Sequence, residues 1–119
     1  MAVALGIVAV GGLLLVVLGW LGLTGKLPRN GIAGIRTPYT MKSDQHWYAA
    51  HRYGAPMLIF GGVAVFMTGL AFFPFSVAGK VPDGVEGAVT LAMTGLLLIS
   101  ALMSWQMGVK GAKRELGER

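Results

Sequence analysis

Tyr53-Gly54-Ala55-Pro56-Met57-Leu58-Ile59-Phe60-Gly61-Gly62-Val63-Ala64-Val65-Phe66-Met67-Thr68-Gly69-Leu70-Ala71-Phe72-Phe73-Pro74-Phe75-Ser76-Val77-Ala78-Gly79 contains no Lys, Arg, Asp or Glu. A bilayer core about 30 Å thick is crossed by about 20 apolar residues of helix, so this stretch is long enough to span. Working outward, Met1–Gly25 and Gly87–Val109 are equally free of charge. The 10 Lys and Arg and the 5 Asp and Glu are confined to the connections and the tail. A soluble domain of 119 residues would scatter its charge over its surface, so soluble globular classes are excluded. Disorder is excluded by a hydrophobic content of 55%. The absence of cysteine removes disulfide frameworks and thiolate metal sites. The length allows one small domain, residues 1–119.

Within lipid, every backbone N–H and C=O must be paired inside its own segment, which favours helices. The sequence therefore predicts an all-α membrane protein with three transmembrane helices, near Val3–Leu23, Met57–Val77 and Ala88–Met107. The first reads as a span rather than a signal peptide: no positive charge precedes it, and its apolar run is too long. Pro74 is expected to kink or end the second span. Pro82-Asp83-Gly84 is turn chemistry for the short connection that follows.

Orientation follows from the basic residues. Lys26, Arg29, Arg36, Lys42 and Arg52 lie in the first connection, 26–52, and Lys110, Lys113, Arg114 and Arg119 in the tail, 110–119. Lys80 stands alone on the other side. The positive-inside rule predicts an outside N-terminus, with the long loop and the C-terminus in the cytoplasm.

Nineteen glycines need a reason, because each costs a helix about 1 kcal/mol against alanine. In membranes, small residues let helix backbones approach closely. Ser100, Ser104, Gly108 and Ala112 form a stripe at four-residue spacing. Gly54, Gly61 and Thr68, with Gly62 and Gly69 beside them, form a second, and Gly12 and Gly19 mark the first span. These stripes predict a bundle that packs on itself, or one that keeps a stripe for a partner protein or a second copy. No predicted span holds an ionisable residue, which weakens a pump or transporter reading.

The first connection is long, and loops beyond about 12–15 residues usually carry structure or function. Its Gly/Pro-rich first half leads to Ser43, a candidate helix cap, and Asp44, favourable in a first turn. The loop is thus predicted to be structured and to contain a short interfacial helix over Gln45–Tyr53, able to run on into the second span, with a bend near Pro56. On this helix Asp44, Trp47 and His51 share one face, and Tyr48 and Arg52 share another. His46 and His51 are about 140° apart around the helix, so no two-histidine metal site is expected. Anionic lipid headgroups explain most of the basic residues. Arg36, inside an apolar turn, fits either a clamp on exposed carbonyls or a contact to a carboxylate or phosphate.

Asn30-Gly31-Ile32-Ala33-Gly34-Ile35-Arg36-Thr37-Pro38-Tyr39-Thr40-Met41-Lys42-Ser43-Asp44-Gln45-His46-Trp47-Tyr48-Ala49-Ala50-His51-Arg52 resembles the signature of the SdpI family of bacterial membrane proteins. That pattern has an Asn, then Gly-Ile-Arg-Thr, an aromatic and a Thr, then a Trp with His or Asn four residues on. The matching positions are Asn30, Gly34, Ile35, Arg36, Thr37, Thr40, Trp47 and His51. The resemblance implies a multi-pass protein of a bacterial inner membrane, in a short three-span form. The family's immunity protein has further spans before the motif; it protects against a secreted, membrane-depolarising peptide and retains a repressor at the membrane.

The first functional expectation is accordingly an immunity or signal-sensing protein. The alternative is a non-catalytic accessory subunit of a larger respiratory or envelope-synthesis complex. An enzyme acting on lipid headgroups is not expected: Asp44 and His51 lie about 10 Å apart along the helix, too far for a direct hydrogen bond. No cofactor, metal or nucleic acid is expected either.

Overall fold

The computed structural model describes residues 2–118, and these form three α-helices and no strand: α1 (Ala2–Leu23), α2 (Asp44–Val77) and α3 (Asp83–Glu115). All three are long and apolar enough to cross a membrane, which makes this an all-α membrane protein. The large apolar side chains on their outer faces are exposed, as expected of surfaces covered by lipid; Val3, Phe60 and Leu91 are each more than 70% accessible.

Two helices are longer than their uncharged cores. α3 begins at Asp83 rather than Ala88 and ends at Glu115 rather than Met107. Carboxylates in a first turn and cations in a last turn complement the helix dipole. Asp83 and Glu86 at one end, and Lys113 and Arg114 at the other, therefore extend the helix past the apolar stretch. Glu86 is buried and meets the Ser76 hydroxyl of α2. α2 begins at Asp44 because Ser43 caps it, its side chain accepting the His46 N–H at 3.2 Å. The segment expected as an interfacial helix is continuous with the second span. Neither Pro56 nor Pro74 interrupts α2, which ends three residues beyond Pro74. Each helix stops in the same way, at a glycine with φ near +70° (Gly25, Gly79 and Gly117). The following N–H reaches back to a last-turn carbonyl, as Lys26 does to Leu21 at 2.8 Å.

α2 is the central helix and runs antiparallel to both neighbours. Its two faces are lined by small residues, because lipid supplies no hydrophobic drive between helices and close backbone packing must replace it. Toward α1, Gly62 meets Gly12: a Cβ on Gly12 would lie 2.8 Å from the Gly62 carbonyl oxygen. Toward α3, Gly61 faces Ser100, Gly54 faces Ser104 and Gly108 faces Ala50. The Ser104 hydroxyl crosses to the Gly54 carbonyl at 2.8 Å. The small-residue stripes are thus largely consumed within the chain. Gly84, Gly87 and Gly95 of α3 are the helical glycines with open space beside them.

Candidate functional site

The loop between α1 and α2 folds into a cap on the end of the bundle that also holds the C-terminal tail. Its turns are built locally. Asn30 Oδ1 accepts the N–H groups of Ile32 and Ala33, both at 2.8 Å, and its amide donates to the Pro28 carbonyl. Thr37 and Thr40 form a reciprocal pair: Thr37 N–H donates to Thr40 Oγ1 at 2.9 Å, and Thr40 N–H to Thr37 Oγ1 at 3.2 Å. Thr40, fully buried, also donates its hydroxyl to the Ile35 carbonyl at 2.7 Å. The buried Thr40 hydroxyl is therefore satisfied within the hairpin, as burial requires.

Trp47 and His51 fasten this hairpin to α2. Trp47 is fully buried, and its indole N–H donates to the Leu27 carbonyl at 2.8 Å. His51, one turn on, stacks against it with ring centroids 4.1 Å apart. Ile35 N–H donates to His51 Nε2 at 2.8 Å, so Nε2 must be unprotonated, and Nδ1–H then donates to the Trp47 carbonyl at 2.7 Å. Both rings press on Gly34. A Cβ there would lie 2.6 Å from His51 Nε2, and φ of +108° is one that side-chain-bearing residues rarely adopt.

Gly34, Ile35, Thr37, Thr40, Trp47 and His51 are thus brought together in one cross-linked unit, while Asn30 closes its own turn beside it. Arg36 is set apart from it. Its side chain is exposed and, among the described residues, has no ion-pair partner. The clamp on loop carbonyls is Arg29 instead, which donates to the Met41 carbonyl at 3.1 Å and pairs with Asp44 at 3.3 Å. Asp44 and His51 are not assembled as an acid–base pair, since Asp44 is engaged by Arg29 and both ring nitrogens of His51 are spent within the fold. Among the described residues, no group of three or more His, Cys, Asp or Glu could hold a metal ion.

The tail completes the cap through residues that sequence reading did not single out. Glu115 pairs with Arg52. Glu118 accepts the Tyr39 hydroxyl at 3.1 Å and lies 2.9 Å from His46 Nε2. Lys42 and Lys113 sit over the Tyr39 ring, 5.2 and 5.6 Å from its centroid. One signal was available: a glutamate in the last turn opposes the helix dipole, so Glu115 needs a cation from elsewhere.

Burial lowers the pKa of His51, which lies before the uncharged part of α2; the hydrogen bond it gives to the Trp47 carbonyl opposes this only in part. A histidine whose folded-state pKa is depressed contributes stability above its unfolded pKa of about 6.5, and that stability fades as pH falls below it. Stability of the purified protein should therefore drop between pH 7.5 and 5.5, with faster amide exchange at Ile35. The drop should be shallower in His51→Asn, which retains an acceptor but does not titrate. A wild-type profile flat over that range would contradict this tautomer.

The model of the SdpI/YfhL protein family matches residues 26–106, which is the loop, all of α2 and most of α3. Searches of curated proteins and of solved structures gave no match. The family match and the Trp47–His51 cap agree on the same segment, and the chain belongs to the SdpI/YfhL protein family.

Proposed function

We propose that this chain acts as an SdpI-type immunity or signal-sensing protein of a bacterial cell membrane, with its loop and tail in the cytoplasm. The observation that carries this reading is the isolation of Arg36. The hairpin's other motif residues make their contacts within the loop or to α2, and Arg29 is engaged by Asp44, which leaves the Arg36 guanidinium exposed without an ion-pair partner among the described residues. Such a group recognises a carboxylate or phosphate on whatever the loop meets. Deleting the gene should sensitise cells to at least one member of a panel of membrane-active peptides. Wild-type protein should restore resistance, and Arg36→Ala, expected to fold normally, should not. Unchanged sensitivity of the deletion strain across the panel would refute the proposal.

The accessory-subunit reading is supported by a different feature. Gly84, Gly87, Leu91, Gly95, Leu98 and Leu102 follow one another every three or four residues along α3, and the three leucines are exposed. Purification in mild detergent distinguishes the two: a stoichiometric large partner favours the subunit, and recovery of the chain alone favours the first reading.

A further inference from the structure

A cleft opens beside α2 at the level where its charged end meets its uncharged stretch. Its mouth, about 330 Å³, is lined by Gly22, Leu23, Thr24, Gly25, Tyr48 and Arg52. Directly below, sharing Leu23, an apolar groove of about 510 Å³ runs past Pro56, Ile59, Phe60, Val63 and Ala64. Tyr48, Arg52, Pro56, Phe60 and Val63 recur every three or four residues, so mouth and groove are one continuous face of α2. From Arg52 to Val63 this face spans about 16 Å, roughly one leaflet of a core about 30 Å thick.

We infer that this cleft binds a single anionic glycerophospholipid, its phosphate at Arg52 and Tyr48 and one acyl chain along the groove from Leu23 to Val63. Charge argues for this occupant. Arg52 has five N–H donors, and its ion pair with Glu115 engages only Nη2. The Arg52 side chain remains 43% accessible, leaving the other donors able to reach a phosphate. The Tyr48 hydroxyl makes no hydrogen bond among the described residues and adds a neutral donor. The facing wall is the C-terminal end of α1, whose bare carbonyls would repel an anion. Three of the last four are already covered: the Thr24 hydroxyl donates to the Trp20 carbonyl at 2.8 Å, Lys26 N–H to that of Leu21 and Gly25 N–H to that of Gly22 at 3.4 Å. The polar-to-apolar order of the cleft repeats that of the lipid itself. This inference stands apart from the immunity reading, since it concerns neither Arg36 nor a peptide.

The test is native mass spectrometry of the full chain in detergent, titrated with phosphatidylglycerol, phosphatidylcholine or inorganic phosphate. Phosphatidylglycerol should form a one-to-one adduct with affinity about tenfold above phosphatidylcholine, as a charge-assisted contact supplies. Millimolar phosphate should not displace it. Arg52→Gln should reduce the preference to parity. Ala64→Trp should weaken both lipids by filling the groove. Glu115→Gln, which releases Arg52, should tighten phosphatidylglycerol severalfold, a gain that misfolding cannot produce. Equal binding of the two lipids by wild type, unchanged preference in Arg52→Gln, or displacement by free phosphate would each overturn the assignment.

Discussion

Trp47→Ala is expected to destabilise the protein by about 3–5 kcal/mol, the usual cost of removing a large buried aromatic. The effect should be concentrated at the loop. Trp47 is fully buried, supplies the indole N–H that holds the Leu27 carbonyl, and backs the His51 ring that holds Ile35. Its removal leaves a cavity, a buried carbonyl without its donor and an imidazole without its stacking partner. Loss of these contacts releases the segment from Leu27 to Lys42 from α2, while the three helices remain associated through their glycine faces. Unfolding in a titration of denaturing detergent should therefore shift to lower concentration, and limited trypsin should cut at Lys26, Arg29, Arg36 and Lys42 well before the wild type is cleaved. Wild-type protease resistance in the variant would mean that the hairpin is held by something other than the indole.

Gly62→Leu should have a comparable effect by the opposite route. A Cβ at Gly62 would already lie 2.9 Å from the Val16 N atom and closer still to the Gly12 carbonyl, so the obstacle is backbone, which cannot rotate away. Overpacking of this kind costs about 3 kcal/mol or more, because the two helices must separate along their length. Gly87→Leu is the matched control: no atom beyond its own stretch of helix lies within 4 Å of its Cβ position, and the change should not destabilise, helix propensity favouring leucine by up to about 1 kcal/mol. Measured by the same detergent titration, similar losses at both positions would show that glycine matters here for its backbone and not for the approach of α1 to α2.

The number and type of the helices were legible because charge is excluded from hydrocarbon, and three gaps in the charge pattern leave few alternatives. The helix ends were not. Treating Asp83 and Glu86 as connection residues placed the start of α3 too late, since both fit a helix N-terminus and Glu86 finds a buried partner in Ser76. The motif residues were recognised as a set, but their arrangement was not. The key contacts of Trp47 and His51 are to backbone atoms of Leu27 and Ile35, and a backbone group carries no side-chain identity to read. The exposure of Arg36 was hidden for a related reason. Its freedom follows from Arg29 taking the clamp position, a choice decided by distances within the folded hairpin.

α2 carries the hairpin at one end and contacts the first turn of α3 at the other, as one unbroken helix. Its 34 residues form a rod about 50 Å long. Because Trp47 and His51 weld the hairpin to the base of that rod, a pull on the loop cannot be absorbed where it is applied. It would be passed on as a tilt or twist of the helix, whose ladder lacks a rung at Pro56 and Pro74. The far end of the same helix carries Ser76, so a tilt begun at the hairpin would be felt at its contact with Glu86.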